Sequence, residues 1–156
     1  MVIKNILIVT AFLSVCFNAC TNSNKTDSVT ITKDMNSYIS MFEIPATDIA
    51  RAVNFYQAIL DLKIETMEIP EMQMGIFPYE EQAVAAVIIK ANGYKPSADG
   101  VTIYMNGGDN LQVILDKVEK NGGKIVTTKT LHADESGYFA IFLDSEGNRI
   151  GLHSAN

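Results

Sequence analysis

The alternation of apolar and polar positions divides the chain into short strands and two amphipathic helices. Residues 39–44 are mostly apolar and suit an extended strand. Pro45 lacks an N–H group and marks the end of that strand. Thr47 or Asp48 can then cap a helix by accepting from its free first-turn amides. Beyond the cap, Ile49, Ala52, Val53, Tyr56, Ile59 and Leu60 recur at helical spacing on one face, and Asp61 breaks the pattern. Strands are expected over 63–68, 73–77 and 84–90. After a Gly- and Pro-containing linker at 93–100, the same order returns. A strand at 101–105 precedes Asp109, which stands where Asp48 stands, and a helix over 109–121 follows. Asn121-Gly122-Gly123 stops that helix, and strands are expected at 124–129, 138–143 and 149–153. Each half therefore reads β-α-β-β-β, and the fold class is α+β.

The first residues follow a different pattern. Lys4 precedes an almost unbroken apolar run, Ile6 to Phe17, and then Ala19-Cys20 and a polar stretch, Thr21 to Ser28. This is the layout of a secretory signal peptide, and the run is shorter than the roughly 20 residues a membrane span needs. It resembles a bacterial lipoprotein signal, in which the Cys after a small residue is acylated. That resemblance implies a signal over 1–19, lipidation at Cys20, a lipid-anchored tether over 20–36 and a folded domain over 37–156 in the cell envelope. Simple secretion and an uncleaved anchor are the alternatives. Both cysteines, Cys16 and Cys20, lie in this segment, so the domain carries neither a disulfide nor a thiolate metal site.

Composition narrows the function classes. The 156 residues are 47% hydrophobic, enough for a packed core. The net charge is −6 and no Lys/Arg cluster occurs, so nucleic acid is not an expected partner. The lipid anchor is the only membrane contact expected.

Three stretches carry a family resemblance. They are Asp48-Ile49-Ala50-Arg51-Ala52-Val53-Asn54-Phe55-Tyr56, Lys120-Asn121-Gly122-Gly123-Lys124-Ile125, and Phe142-Leu143-Asp144-Ser145-Glu146-Gly147-Asn148-Arg149-Ile150. With them, the chain from Ser37 onward resembles the vicinal oxygen chelate superfamily. That superfamily includes glyoxalase I, fosfomycin-resistance proteins, bleomycin-binding proteins and extradiol dioxygenases. The resemblance implies two βαβββ modules that form a curved sheet cup, with the helices on the outer face. The modules pair within one chain or exchange between two copies, so a homodimer is one expected assembly.

In metal-dependent members four ligands converge inside the cup. Carried over residue by residue, those positions are Met41, Thr102, Gly151 and the strand near Ile88–Lys90. None bears the imidazole or carboxylate such ions take, so no metal and no cofactor is expected. Strand residues two apart share a face. Met41 therefore goes with Glu43, Thr102 with Tyr104, and Gly151 with His153. Gly151 is expected to leave space beside His153. Glu43 is the candidate general base, with His153 as its partner, and Met41, Thr102, Tyr104, Gly151 and His153 are candidate binding residues. A structural ion pair or a capping contact is the other reading of Glu43. His132 is expected to be a solvated loop residue. Tyr79 and Tyr94 are expected at loop tips, where they pack on the surface or close over the cup. The abundant methionines, among them Met67, Met72 and Met74, fill core gaps or wall a hydrophobic ligand.

Three functions fit. One is a metal-independent domain that binds a small apolar or aromatic molecule in the cup. A second is a glyoxalase- or lyase-type enzyme using Glu43. The third is an accessory envelope lipoprotein with a vestigial site.

Overall fold

The computed structural model describes residues 37–80 and 82–156. The apolar run, Cys16, Cys20 and the polar stretch after them lie outside the described residues. The first module consists of β1 (Met41–Pro45), α1 (Ile49–Leu60), β2 (Glu65–Ile69), β3 (Met72–Ile76) and β4 (Ala85–Ala91). The second consists of β5 (Ile103–Asn106), α2 (Gln112–Val118), β6 (Lys124–Leu131), β7 (Tyr138–Leu143) and β8 (Arg149–Ser154), with a 3₁₀ turn, Glu119–Asn121, extending α2. Each module forms a four-stranded sheet, ordered β1-β4-β3-β2 and β5-β8-β7-β6. In each, the first and last strands are parallel neighbours and the other pairings are antiparallel. A parallel pair needs a crossover connection, and α1 and α2 supply it.

α1 forms where the spacing predicts. Asp48 caps it, accepting from the Arg51 amide at 3.0 Å, and Asp61 closes it in the left-handed conformation. Its buried face is wider than the spacing suggests, because Phe55 is buried along with Ala52, Val53, Tyr56 and Ile59. Phe55 faces the second module, where its ring lies 6.1 Å from that of Phe142. Full burial of such a side chain is worth about 1.5–3 kcal/mol. Val53 sits close against β3. A Cβ at Gly75 would lie 2.6 Å from Val53 Cγ2, so the missing side chain sets the helix–sheet distance.

α2 departs from expectation. It begins at Gln112, and Asp109 does not cap it; Asn110 Oδ1 accepts from the Gln112 amide at 3.2 Å instead. The cause is Gly107-Gly108 in place of Ala46-Thr47. Gly108 takes a φ of 66°, which turns the chain out of the path that leads β1 into α1.

The two modules meet at a polar clasp. Arg51 Nε donates to Glu146 Oε1 at 2.7 Å, and Thr47 donates to Glu146 Oε2 from its amide (2.7 Å) and its hydroxyl (2.8 Å). Beneath it the buried Tyr56 hydroxyl donates to Asp144 Oδ2 at 2.7 Å. Asp144 also accepts from the Asn148 side-chain amide and from the Glu146 and Asn148 backbone amides, each at 2.9 Å. The Asn148 side chain donates in turn to Pro45 O at 2.8 Å. A buried carboxylate with four donors is fully satisfied, so its burial is not destabilising.

Candidate functional site

The clasp and the core occupy the helix side of both sheets, and the opposite faces are left for function. In β1 the side chains of Phe42 and Ile44 pack toward α1, and Met41 and Glu43 project from the other face. The register puts Glu43 beside Val87, Val87 beside Ile76, and Ile76 beside Glu65. The next row on that face is Ile89, Met74 and Met67, followed by Ala91, Met72 and Ile69. This surface is apolar and rich in thioethers. Met41 and Met67 are about half exposed, at 51% and 48%.

Two carboxylates lie on this surface, Glu43 on β1 and Glu65 on the far edge strand β2. Glu43 Oε2 accepts from the Tyr94 hydroxyl at 2.8 Å. That bond, together with partial burial and the carboxylate charge, raises the Tyr94 phenol above its usual range. Tyr94 is thus a partner of Glu43 rather than a surface-packed loop residue. The contact is neither an ion pair nor a helix cap, the two structural roles expected for Glu43. The sequence signals Tyr94 only by its place in the Ala91-Asn92-Gly93-Tyr94 turn that follows β4.

On the second sheet, Tyr104 pairs with Gly151 and Asn106 with His153. Tyr104, Gly151 and His153 share the face opposite α2. Gly151 does not leave space beside His153. The Tyr104 ring occupies that space, so closely that a Cβ on Gly151 would overlap it. Thr102 precedes β5 and belongs to no strand. His132 is half-buried, not solvated: its ring lies 4.8 Å from Phe139 and 5.3 Å from His153. Glu43 and His153 do not form the expected acid–base pair. Glu43 is held by Tyr94, and the His153 ring lies tilted at 46° against His132. The His132–His153 approach was not legible because the two lie on opposite sides of β7.

The positions that the family resemblance assigns to metal hold a thioether (Met41), a hydroxyl (Thr102), no side chain (Gly151) and, between Ile88 and Lys90, Ile89. This donor set does not fit a hard divalent ion. Among the described residues no three His, Cys, Asp or Glu side chains converge on one point. Nor is any helix among them long and apolar enough to cross a membrane.

Comparison with known proteins agrees with the architecture. A family model described as Glyoxalase/Bleomycin resistance protein/Dioxygenase superfamily matches residues 38–152. A glyoxylase-like domain-containing protein from Didymella fabae is 31% identical over 119 residues, 73% of this chain and 91% of that protein. Among solved structures, TnmS3, an antibiotic binding protein from a Streptomyces species, has a TM-score of 0.61 at 16% identity, covering 77% of this chain and 97% of that one. A glyoxalase/bleomycin resistance protein from Albidiferax ferrireducens has a TM-score of 0.60 at 16% identity, covering 76% and 99%. A glyoxalase I mutant from Zea mays has a TM-score of 0.60 at 16% identity, covering 74% of this chain. This chain spans only 46% of that maize chain. At such identities the structural likeness speaks for the fold alone.

Proposed function

The chain belongs to the glyoxalase/bleomycin resistance protein/dioxygenase superfamily, and we propose that its domain binds a small apolar or aromatic molecule on the concave sheet surface without a metal ion. The observation that carries this reading is the surface around Glu43. A field of Met, Ile and Val side chains lies between two carboxylates at the sheet edges, Glu43 and Glu65, and a tyrosine hydroxyl holds the first in place. Small-molecule sites combine apolar walls with a few oriented polar groups in this way. Thioether side chains adapt to flat or irregular ligands. The likeness to an antibiotic binding protein supports the same reading at the level of the fold. In this reading Glu43 accepts a hydrogen bond from the ligand, Met41 supplies apolar wall, and Tyr104 and His153 contribute from the second sheet.

A glyoxalase- or lyase-type reaction with Glu43 as general base is the second reading. The Glu43–Tyr94 pair favours it, since one carboxylate oxygen is oriented and the other is left for a substrate proton. Export and lipid anchoring through Cys20 complete the proposal, and the pattern of residues 1–28 supports them. In that setting a domain without activity would be an accessory envelope protein.

The test is a thermal-shift screen of neutral aromatic compounds, followed by titration of the hits against Glu43→Gln and Met74→Glu. The expected result is a saturable rise in melting temperature that both substitutions reduce. Hits that bind both variants as tightly as the wild type would remove the concave surface from consideration. Turnover of a hit that Glu43→Gln abolishes would favour the second reading.

A further inference from the structure

The clasp around Glu146 has a counterpart position in the duplicated half, and there the modules do not close. With the two halves aligned on Asp48 and Asp109, Thr47 corresponds to Gly108, Arg51 to Gln112 and Tyr56 to Lys117. All three groups that grip the β7–β8 turn are therefore absent from the second half. Between the start of α2 and the β3–β4 loop lies a crevice of about 770 Å³. Its walls are apolar, with Phe42, Leu62, Phe77, Ala86, Met105 and Val113 among them. Phe42 and Ala86 alternate along their strands with Glu43 and Val87. The crevice is therefore on the α1 side of the first sheet, and on the second sheet it reaches as far as Tyr104.

We propose that this crevice is a second ligand site, for an apolar molecule that is neutral or cationic. The reasoning is independent of the concave-surface reading. The volume is within the roughly 300–1,000 Å³ of small-molecule pockets. Gln82 on one wall, and Asn106 and Asn110 on the other, offer hydrogen-bonding groups to a ligand. The sign of the charge follows from the walls. Among the described residues Asp109 is the one charged side chain that lines the crevice, and no Lys, Arg or His does. Lys129 is near, but its ammonium is engaged by Asn110 Oδ1 at 2.8 Å and lies 4.4 Å over the Tyr138 ring. An anionic headgroup beside the exposed Asp109 would meet a like charge with no cation among the described wall residues, which disfavours it.

The experiment is a fluorescence titration of the full chain with aminoanthracene, a neutral apolar probe, followed by competition. Saturable binding at the crevice is expected, as one probe per chain in the Met74→Glu background, where the concave surface is disabled. Val113 is exposed, so Val113→Glu leaves folding intact, and a charge on the wall should weaken the probe by about tenfold or more. Ala86→Phe fills the crevice and should do the same. Met74→Glu, on the concave surface, should change the affinity of the Val113-sensitive site by less than about twofold, as distant sites are independent. Dodecylamine should displace the probe and dodecanoate should not. Absence of saturable binding would overturn the proposal, whatever fills the crevice instead. So would loss of binding in Met74→Glu with Val113→Glu unaffected, or displacement by dodecanoate in preference to the amine.

Discussion

Tyr56→Phe isolates one hydrogen bond at the junction of the modules. The ring is fully buried, with an edge-on contact to Phe55 at 5.1 Å and to Phe77 at 5.6 Å, and phenylalanine keeps both. Only the hydroxyl bond to Asp144 is lost. A hydrogen bond to a charged acceptor contributes about 1.5–3 kcal/mol. Asp144 Oδ2 retains the Asn148 amide, so the carboxylate is not left bare, and a loss of about 2 kcal/mol is expected. For a domain of this size that lowers the melting temperature by roughly 8 °C. The pH dependence adds a second readout. Burial, the Asp144 charge and the bond to it together raise the Tyr56 phenol well above its ordinary value. A raised group stabilises fully below its unfolded pKa, about 10, and loses that contribution as pH rises toward the folded value. The gap between wild type and variant should therefore be constant from pH 7 to about 9 and close in stronger alkali. Tyr79→Phe, at an exposed site, is the control. Scanning calorimetry that finds Tyr56→Phe as stable as the wild type would refute the claim that this bond fastens the modules.

Two further outcomes are expected. Burial opposes ionisation of Glu146, but Arg51 and the Thr47 and Asp48 donors outweigh it and hold the carboxyl below its ordinary value. Its stabilisation is present above the unfolded pKa, about 4.3, and is lost as pH falls through the folded value, so the melting-temperature gap to Glu146→Gln should close in acid; a gap that persists there would disprove the assignment. Cys20→Ser should move the exported protein from the membrane to the soluble fraction, because acyl chains add about 0.8 kcal/mol per buried methylene, and equal fractionation would remove the anchor.

What the sequence could disclose depended on the range of each interaction. α1 was legible because its cap, its apolar face and its stop are local, and Asp48 and Asp61 perform the roles their chemistry suggests. α2 was misjudged at its start because Asp109 resembles Asp48, while the two glycines before it direct the backbone elsewhere. Phe55 fell outside the helical stripe because its partner, Phe142, belongs to the other module. The stretches that carried the resemblance looked like caps and turns, yet Arg51 and Tyr56 in one bind Glu146 and Asp144 in the other. The opposite charges of Arg51 and Glu146 were the available signal. The Glu43–Tyr94 contact had no such signal, since alternation gives the direction of a strand side chain but not the path of a loop.

Space as well as donor chemistry separates the second sheet from a metal site. The resemblance assigns the last ligand to Gly151, and restoring a carboxylate there requires a Cβ. That Cβ would overlap the Tyr104 ring, which lies against the glycine. Gly151→Glu alone should therefore displace Tyr104 and destabilise the second sheet by about 1–3 kcal/mol, the usual cost of overpacking, without creating a site. Met41→His, Thr102→His and Gly151→Glu together supply three donors, but Tyr104→Ala is needed to make room for the third. The combination of all four changes is expected to take up zinc, and the wild type and the single variant are not. Metal content measured on tag-free protein prepared without chelator decides the matter. A full equivalent of metal in the wild type would show that the chain uses ligands other than those the resemblance assigns. Zinc uptake by the variant that retains Tyr104 would show that the ring yields readily, and that the missing donors alone keep metal out.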